Sequence, residues 1–275
     1  MKTDKERSSQ SEDTAEAGFG KYATPLVHEA ITQASTLDHD PDAEVLHKLR
    51  VALRRLRTLL WAYRPMLDED FDNKQRAIYK FLANAAGNTR DWDILIELLT
   101  ELDEPKLADA LRQSRDAAVK TSRETLSHAS IKKVLHDALS EANKELNTAH
   151  QRTPLKKFAV RRVKAAEGQL RKRMRNASKA KRSEYSSFHE VRKAGKKVRY
   201  LLEFFEPLLD KKQRKSMKKL KQLQKRFGAL NDVVASRELL QNHLDSLPSG
   251  TSTDEAMRSL KKEEKRRAKD AARLL

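Results

Sequence analysis

Apolar residues recur along this chain at three- and four-residue spacing, the period of a helix with one buried face. No segment reads as a strand. A first helix is expected over about Tyr22–Leu37, with Leu26, Ala30 and Ile31 inward. Asp40-Pro41-Asp42 reads as a helix start, and the helix it opens runs to about Tyr63, before Pro65. Phe71, Ile78, Phe81, Leu82 and Ala85 make the next stripe, with Gly87 as its stop. Asp91 is placed to cap Trp92–Leu102, Pro105 opens a helix to about Ser127, and Ile131–Leu146 forms another. Then come Leu155 to about Lys181, Ser187–Phe205 and Asp210–Phe227. Asn231–Leu247, with Asp232 as a cap, a Pro248-Ser249-Gly250 loop and a helix from about Thr253 complete the chain. Residues 1–19 are polar and aperiodic, and are expected to form a disordered tail.

The helix after Asp42 divides its residues sharply. Leu49, Leu53, Leu56 and Leu60 share one side, while His47, Arg50, Arg54 and Arg57 fall within about 80° of one another on the opposite side. The same design returns 142 residues later in His189, Arg192, Lys196, Lys197 and Arg199. Both copies fit H-x-x-R-x-x-x-(R/K)-(R/K)-x-R. Pro65 and Pro207 share the offset, each after an aromatic run (Trp61 and Tyr63; Phe204 and Phe205). Gly87-x-x-x-Asp91 matches Gly228-x-x-x-Asp232 with one residue deleted. So long a period is a duplicated half-domain, not a solenoid.

These paired motifs and their landmarks resemble the CHAD family, the conserved histidine α-helical domain that binds inorganic polyphosphate. The likeness covers about residues 20–275, with a first half of about 20–150 and a second of about 151–275. The expected fold is all-α: two antiparallel helical bundles related by a pseudo-twofold axis, which is also the family's architecture. The resemblance implies a central basic groove that takes polyphosphate, and association with polyphosphate granules.

Charge points the same way without naming the ligand. The 275 residues carry 58 Lys and Arg against 40 Asp and Glu, a net +18, so a polyanionic partner is expected. The segment 155–182 is the most lopsided: Lys157, Arg161, Lys164, Arg171, Lys172, Arg175, Lys179 and Arg182 oppose an apolar face of Leu155, Phe158, Ala166, Leu170, Met174 and Ala177. A solvated helix usually alternates its signs, and this one does not. Lys211, Arg214, Lys218, Lys221 and Lys225 form a similar stripe, where the first half has Asp72, Asn73 and Ala83 in place of Arg214, Lys215 and Lys225. The second half is therefore expected to bind anions more strongly.

For Arg50, Arg54, Arg57, Arg192, Lys196 and Arg199, solvated surface competes with anion binding, and the recurrence of the spacing favours the latter. Guanidinium forks suit phosphate oxygens, and lysines add mobile point charges. His47 and His189 share the arginine face, so both are placed in the anion site; structural hydrogen bonding and metal ligation are the alternatives. Neither copy brings further ligands at metal spacing. Asp91 and Asp232 read as caps or arginine anchors, and Trp61, Tyr63, Phe204 and Phe205 as core. His28, His39, His128, His136, His150 and His243 show no constellation.

Catalytic signatures are missing. There is no glycine-rich phosphate loop, no H-E-x-x-H, and no E-x-E-x-K strand of the triphosphate-tunnel enzymes to which CHAD domains are often fused. No repeated acidic pair is placed for Mg²⁺. The expectation is a binding protein, not an enzyme, with no cofactor and no metal. With no cysteine, no apolar run of about 18 residues and no apolar signal core, a soluble cytoplasmic protein is expected, without a membrane partner. Oligomeric state has no signature here. A non-specific nucleic-acid binder is the alternative, although no helix-turn-helix or aromatic stacking module is seen.

Overall fold

The computed structural model describes residues 14–37, 42–180, 184–247 and 253–275, with 212–215 and 246 as backbone only. It is all-α: among the described residues the only extended pairing is an isolated bridge between Thr14 and Pro154. The helices are α1 (Ala15–Thr36), α2 (Ala43–Tyr63), α3 (Glu69–Ala85), α4 (Asn88–Glu101), α5 (Pro105–Ala110), α6 (Arg112–His128), α7 (Ile131–Thr148), α8 (Leu155–Lys179), α9 (Tyr185–Phe205), α10 (Lys211–Asn242) and α11 (Asp254–Ala272). No helix among the described residues is long and apolar enough to cross a membrane.

The chain gathers into two compact units that interleave along the sequence. The first takes Met1–Ala86, Arg123–Ala166 and Lys197–Lys215; the second takes Gly87–Ser122, Glu167–Lys196 and Ser216–Leu275. The first is built around an aromatic string. Tyr63, fully buried, meets Phe19 edge-on at 4.9 Å and Phe158 at 4.7 Å, and Phe158 meets Phe205 at 6.0 Å. These rings join α1, α2, α8 and α9. The second unit closes over Trp92, Leu95, Leu99, Leu107, Leu111, Val233, Leu240 and Leu260.

The two motif helices match in length and ending. Each has 21 residues, and each stops in a 3-10 turn that contains its proline, Arg64–Met66 or Glu206–Leu208. Proline lacks an amide hydrogen and fixes φ, which suits such a turn and ends the α-helix.

Elsewhere the boundaries differ from the sequence reading. Helix α1 begins at Ala15, not near Tyr22, and runs through Pro25; Ala15 and Phe19, expected in the tail, are buried. Residues 1–13 lie outside the described residues. In α3, Phe71, Leu82 and Ala85 are buried as expected and Ile78 is half-buried, but Phe81 stands 59% exposed, and Asp72, Gln75 and Tyr79 are buried as well. Asp91 and Asp232 are not N-caps. Gly87 occupies the cap of α4, which puts Asp91 inside its first turn, and Asp232 lies within the unbroken 32-residue α10. Gly228 does not interrupt that helix, because its amide and carbonyl still fit the ladder and it has Leu223, Phe227 and Leu230 to bury around it. The helix expected from Pro105 to Ser127 is divided at Leu111. The Pro248-Ser249-Gly250 loop lies outside the described residues.

The start of α1 is fastened to the segment before α8. Glu16 is 2% exposed, and both its carboxylate oxygens accept from the Thr153 amide at 3.0 Å. The Ala15 amide donates back to the Thr153 carbonyl at 2.8 Å. Removing this buried acceptor leaves the half-buried Thr153 amide without its partner, which is a costly way to lose a hydrogen bond. Glu16→Ala is expected to lower the unfolding free energy by about 1–3 kcal/mol, measured by urea denaturation.

Candidate anion-binding site

Helix α2 uses its leucines as the pattern requires. Leu49, Leu53, Leu56 and Leu60 are all buried. Rotating them into the core leaves Arg50, Arg54 and Arg57 half-buried on the far side, with His47 exposed near the start of the helix. The guanidinium of Arg57 is partly dehydrated. Its Nε is buried without a hydrogen-bond partner among the described residues. Burial, reinforced by the neighbouring Arg76 charge, lowers its pKa below the ordinary arginine value.

Trp61 lies one helical turn beyond Arg57 on the same stripe. It is half-buried, not core as expected. The Arg162 guanidinium stands 4.2 Å from its ring centroid, and Nη2 of Arg162 donates to the Trp61 carbonyl at 2.6 Å. The Lys197 ammonium is also 4.2 Å from that centroid. Arg162 is itself half-buried, and its pKa is lowered by burial and by the charge of Arg161. The first unit thus holds Arg162 and Lys197 over one aromatic ring, one helical turn from Arg57, which in turn feels the charge of Arg76.

Carboxylates neutralise part of this charge. Asp72, wholly buried, takes Arg76 at 3.2 Å and Arg64 at 3.4 Å. Glu203 lies 4.0 Å from Arg55 and 3.4 Å from Arg199, with Arg55 also 5.4 Å from the Phe204 ring centroid. His47, Arg55, Glu203 and Phe204 share the lining of a surface cavity of about 640 Å³ with Tyr22 and Lys21.

The second unit treats its histidine differently. The Tyr185 hydroxyl, pushed up to about 12 mainly by burial, donates to Oδ1 of Asn231 at 2.7 Å. Nδ1 of His189 lies 3.1 Å from that hydroxyl and 3.3 Å from the same Oδ1. Asn231 turns its Nδ2 toward Asp232 at 3.4 Å, which fits this amide orientation. Two acceptors therefore face Nδ1, so the proton sits there and Nε2 carries the lone pair. The His189 pKa is lowered, first by burial and then by Lys193 and Arg192, against the hydrogen bond to Asn231 and the charge of Glu190. Arg192 and Lys196 follow at half-burial on the same helix. Glu190 pairs with Arg173 at 3.6 Å and with Lys193.

The remaining candidates stand in solvent. Lys157, Arg161 and Lys164 are exposed, with Pro154 and Val160 between them. They lie round α8 from Arg162, which reaches the motif helix although the sequence did not single it out. Arg171, Arg175 and Lys179 are exposed in the second unit, as are Lys218, Lys221 and Lys225 on α10. Arg182 and the side chains of Arg214 and Lys215 lie outside the described residues. Among the described residues no cluster of three or more His, Asp and Glu is placed to hold a metal ion. His243 packs edge-on against Trp92 at 4.7 Å.

A family model for the CHAD domain matches residues 22–241. The chain belongs to the CHAD family. Among solved structures, it is similar to the CHAD domain from the plant Ricinus communis, at a TM-score of 0.78 and 21% identity over 95% of this chain and 89% of that one. It is also similar to PptA from Streptomyces chartreusis, at a TM-score of 0.66 and 15% identity over 94% of this chain and 96% of that one. No curated protein matches the sequence. At these identities the structural likenesses establish the CHAD fold, and the family model establishes membership.

Two outcomes are expected. Asp72→Ala leaves Arg64 and Arg76 without their buried carboxylate and is expected to lower stability by about 3 kcal/mol in chemical denaturation. In the ligand-free protein the imidazole of His189, followed by NMR, is expected to titrate below pH 6.5. Because the folded state then binds fewer protons than the unfolded one, stability falls as pH drops through about 6.5.

Proposed function

We propose that this CHAD protein binds inorganic polyphosphate through the basic faces of its two motif helices and acts as a binding protein without catalysis. The observation that carries the reading is the placing of Arg162 and Lys197 over Trp61, one turn from the partly dehydrated Arg57 on the motif helix. Burial lowers the pKa of both Arg57 and Arg162, so two guanidiniums of this set are partly desolvated. Like charges brought together and partly dehydrated repel one another until an anion joins them. Polyphosphate presents about one charge per phosphate and no bases. It suits planar guanidinium donors and needs no stacking platform. Family membership and the net +18 support the same ligand.

The contacts in this reading are His47, Arg50, Arg54 and Arg57 in the first unit and His189, Arg192 and Lys196 in the second. Arg199 adds to the first, although Glu203 shares it. The exposed lysines and arginines of α8 and α10 add longer-range attraction. The groove and the pseudo-twofold arrangement belong to this proposal, as does a cytoplasmic role at polyphosphate granules. Phosphate at His189 stabilises the imidazolium, so binding draws a proton onto Nε2 and turns it into a donor.

Neutralisation releases counterions, so affinity for long-chain polyphosphate is expected to fall on the order of a hundredfold between about 50 and 200 mM salt. Arg50→Glu combined with Arg192→Glu is expected to abolish binding while circular dichroism keeps its helical signal. Polyphosphate is also expected to displace DNA or RNA far more readily than the reverse. No measurable polyphosphate affinity at moderate salt, or tighter binding of nucleic acid in competition, overturns the proposal.

A further inference from the structure

Trp61 is the unusual member of the first unit's cationic cluster. A half-buried tryptophan at the end of a motif helix needs only apolar neighbours, yet this one has a guanidinium and an ammonium each 4.2 Å from its ring centroid. An aromatic face carries negative quadrupole density and attracts cations, most strongly for indole and most strongly when water is excluded. Arg162 is held a second time by its 2.6 Å bond to the Trp61 carbonyl. Ring and backbone of one residue thus fix the same guanidinium. That fixation matters because Arg57, on the turn before Trp61, already repels nearby cations; its partner in that repulsion is Arg76.

We propose that Trp61 is a positioning residue for phosphate binding: its ring holds Arg162 and Lys197 at the motif helix before any anion arrives. This rests on the polyphosphate reading and adds residues to it. Without the ring, Arg162 keeps its bond to the residue-61 carbonyl but loses the aromatic face, and Lys197 loses that face as well, so both side chains range more widely. Phosphate then has to gather them and restrict their rotamers as it binds. With the ring in place, they are displayed at close spacing and the anion loses less on binding. The indole acts through the cations and makes no hydrogen bond to phosphate itself.

The test compares Trp61→Phe, which keeps an aromatic face, with Trp61→Leu, which keeps only apolar bulk. Two measurements on the full chain separate positioning from ligand identity. The first is labelling of the Lys197 amine by an N-hydroxysuccinimide ester in the ligand-free protein, read by mass spectrometry. Lys197 reactivity is expected to rise several-fold in Trp61→Leu and to stay near wild type in Trp61→Phe. The second is titration with long-chain polyphosphate at fixed salt. Affinity is expected to fall about tenfold in Trp61→Leu and by no more than about threefold in Trp61→Phe. Equal labelling and equal affinity in the two variants overturn the proposal. Absence of binding in the wild type overturns the polyphosphate reading instead, and the labelling comparison still reports on the ring. Should Trp61→Leu fail to fold, Trp92→Phe leaves Trp61 as the sole tryptophan of the chain's two. In that background Lys197→Met, which removes the ammonium over the ring, is expected to shift the ligand-free emission, and an unchanged spectrum overturns the proposal.

Discussion

Burial of one leucine stripe controls the chemistry of the opposite stripe. When Leu49, Leu53, Leu56 and Leu60 enter the core, the arginines of α2 cannot rotate away into open solvent. They stand at half-burial, where a charge loses part of its hydration but keeps its repulsion. Hydrophobic burial supplies the work that holds these groups together, since each fully buried leucine contributes about 1.5–3 kcal/mol. The cationic cluster is thus a strained arrangement sustained by packing elsewhere in the same helix.

The repeated motif reaches two different local solutions. In the first unit the histidine is exposed, and the arginine stripe leads to a tryptophan that collects cations from α8 and α9. In the second, the histidine is tied by Tyr185 and Asn231 into a single tautomer and kept neutral by its surroundings. Equal spacing therefore does not mean equal surroundings. The residue aligned with Asn231 in the first half is Arg90, which has no amide oxygen to offer, so the network has no copy there. Duplication preserved the placement of charge and let its tuning diverge.

Helical periodicity made the fold class and most elements legible, because leucine spacing is a local property. Both motif helices and their proline endings were readable for that reason. Boundaries failed where tertiary contacts decide. Residues 15–19 continue a polar, aperiodic stretch and show no helical stripe of their own, yet a buried carboxylate and one phenyl ring draw them into α1. Gly228 resembles a stop but sits inside a helix with an apolar face on both sides of it. In the site, Arg161 satisfied the charge stripe, while Arg162 reached the motif helix. The two differ by 100° round α8, and only the neighbouring ring at Trp61 distinguishes them. Trp61 itself read as core because single-sequence patterns see its size and not the cations over its face.

The clasp between Glu16 and Thr153 joins residues 137 positions apart. The family match opens at residue 22, but the described helix already begins at Ala15, capped by Thr14, whose hydroxyl accepts from the Ala17 amide. A fragment trimmed to the recognised family span would therefore lose its latch: the Thr153 amide would exchange a carboxylate for water, and Tyr63 would lose the phenyl edge of Phe19. The evolutionary signature is narrower than the mechanical body that carries it.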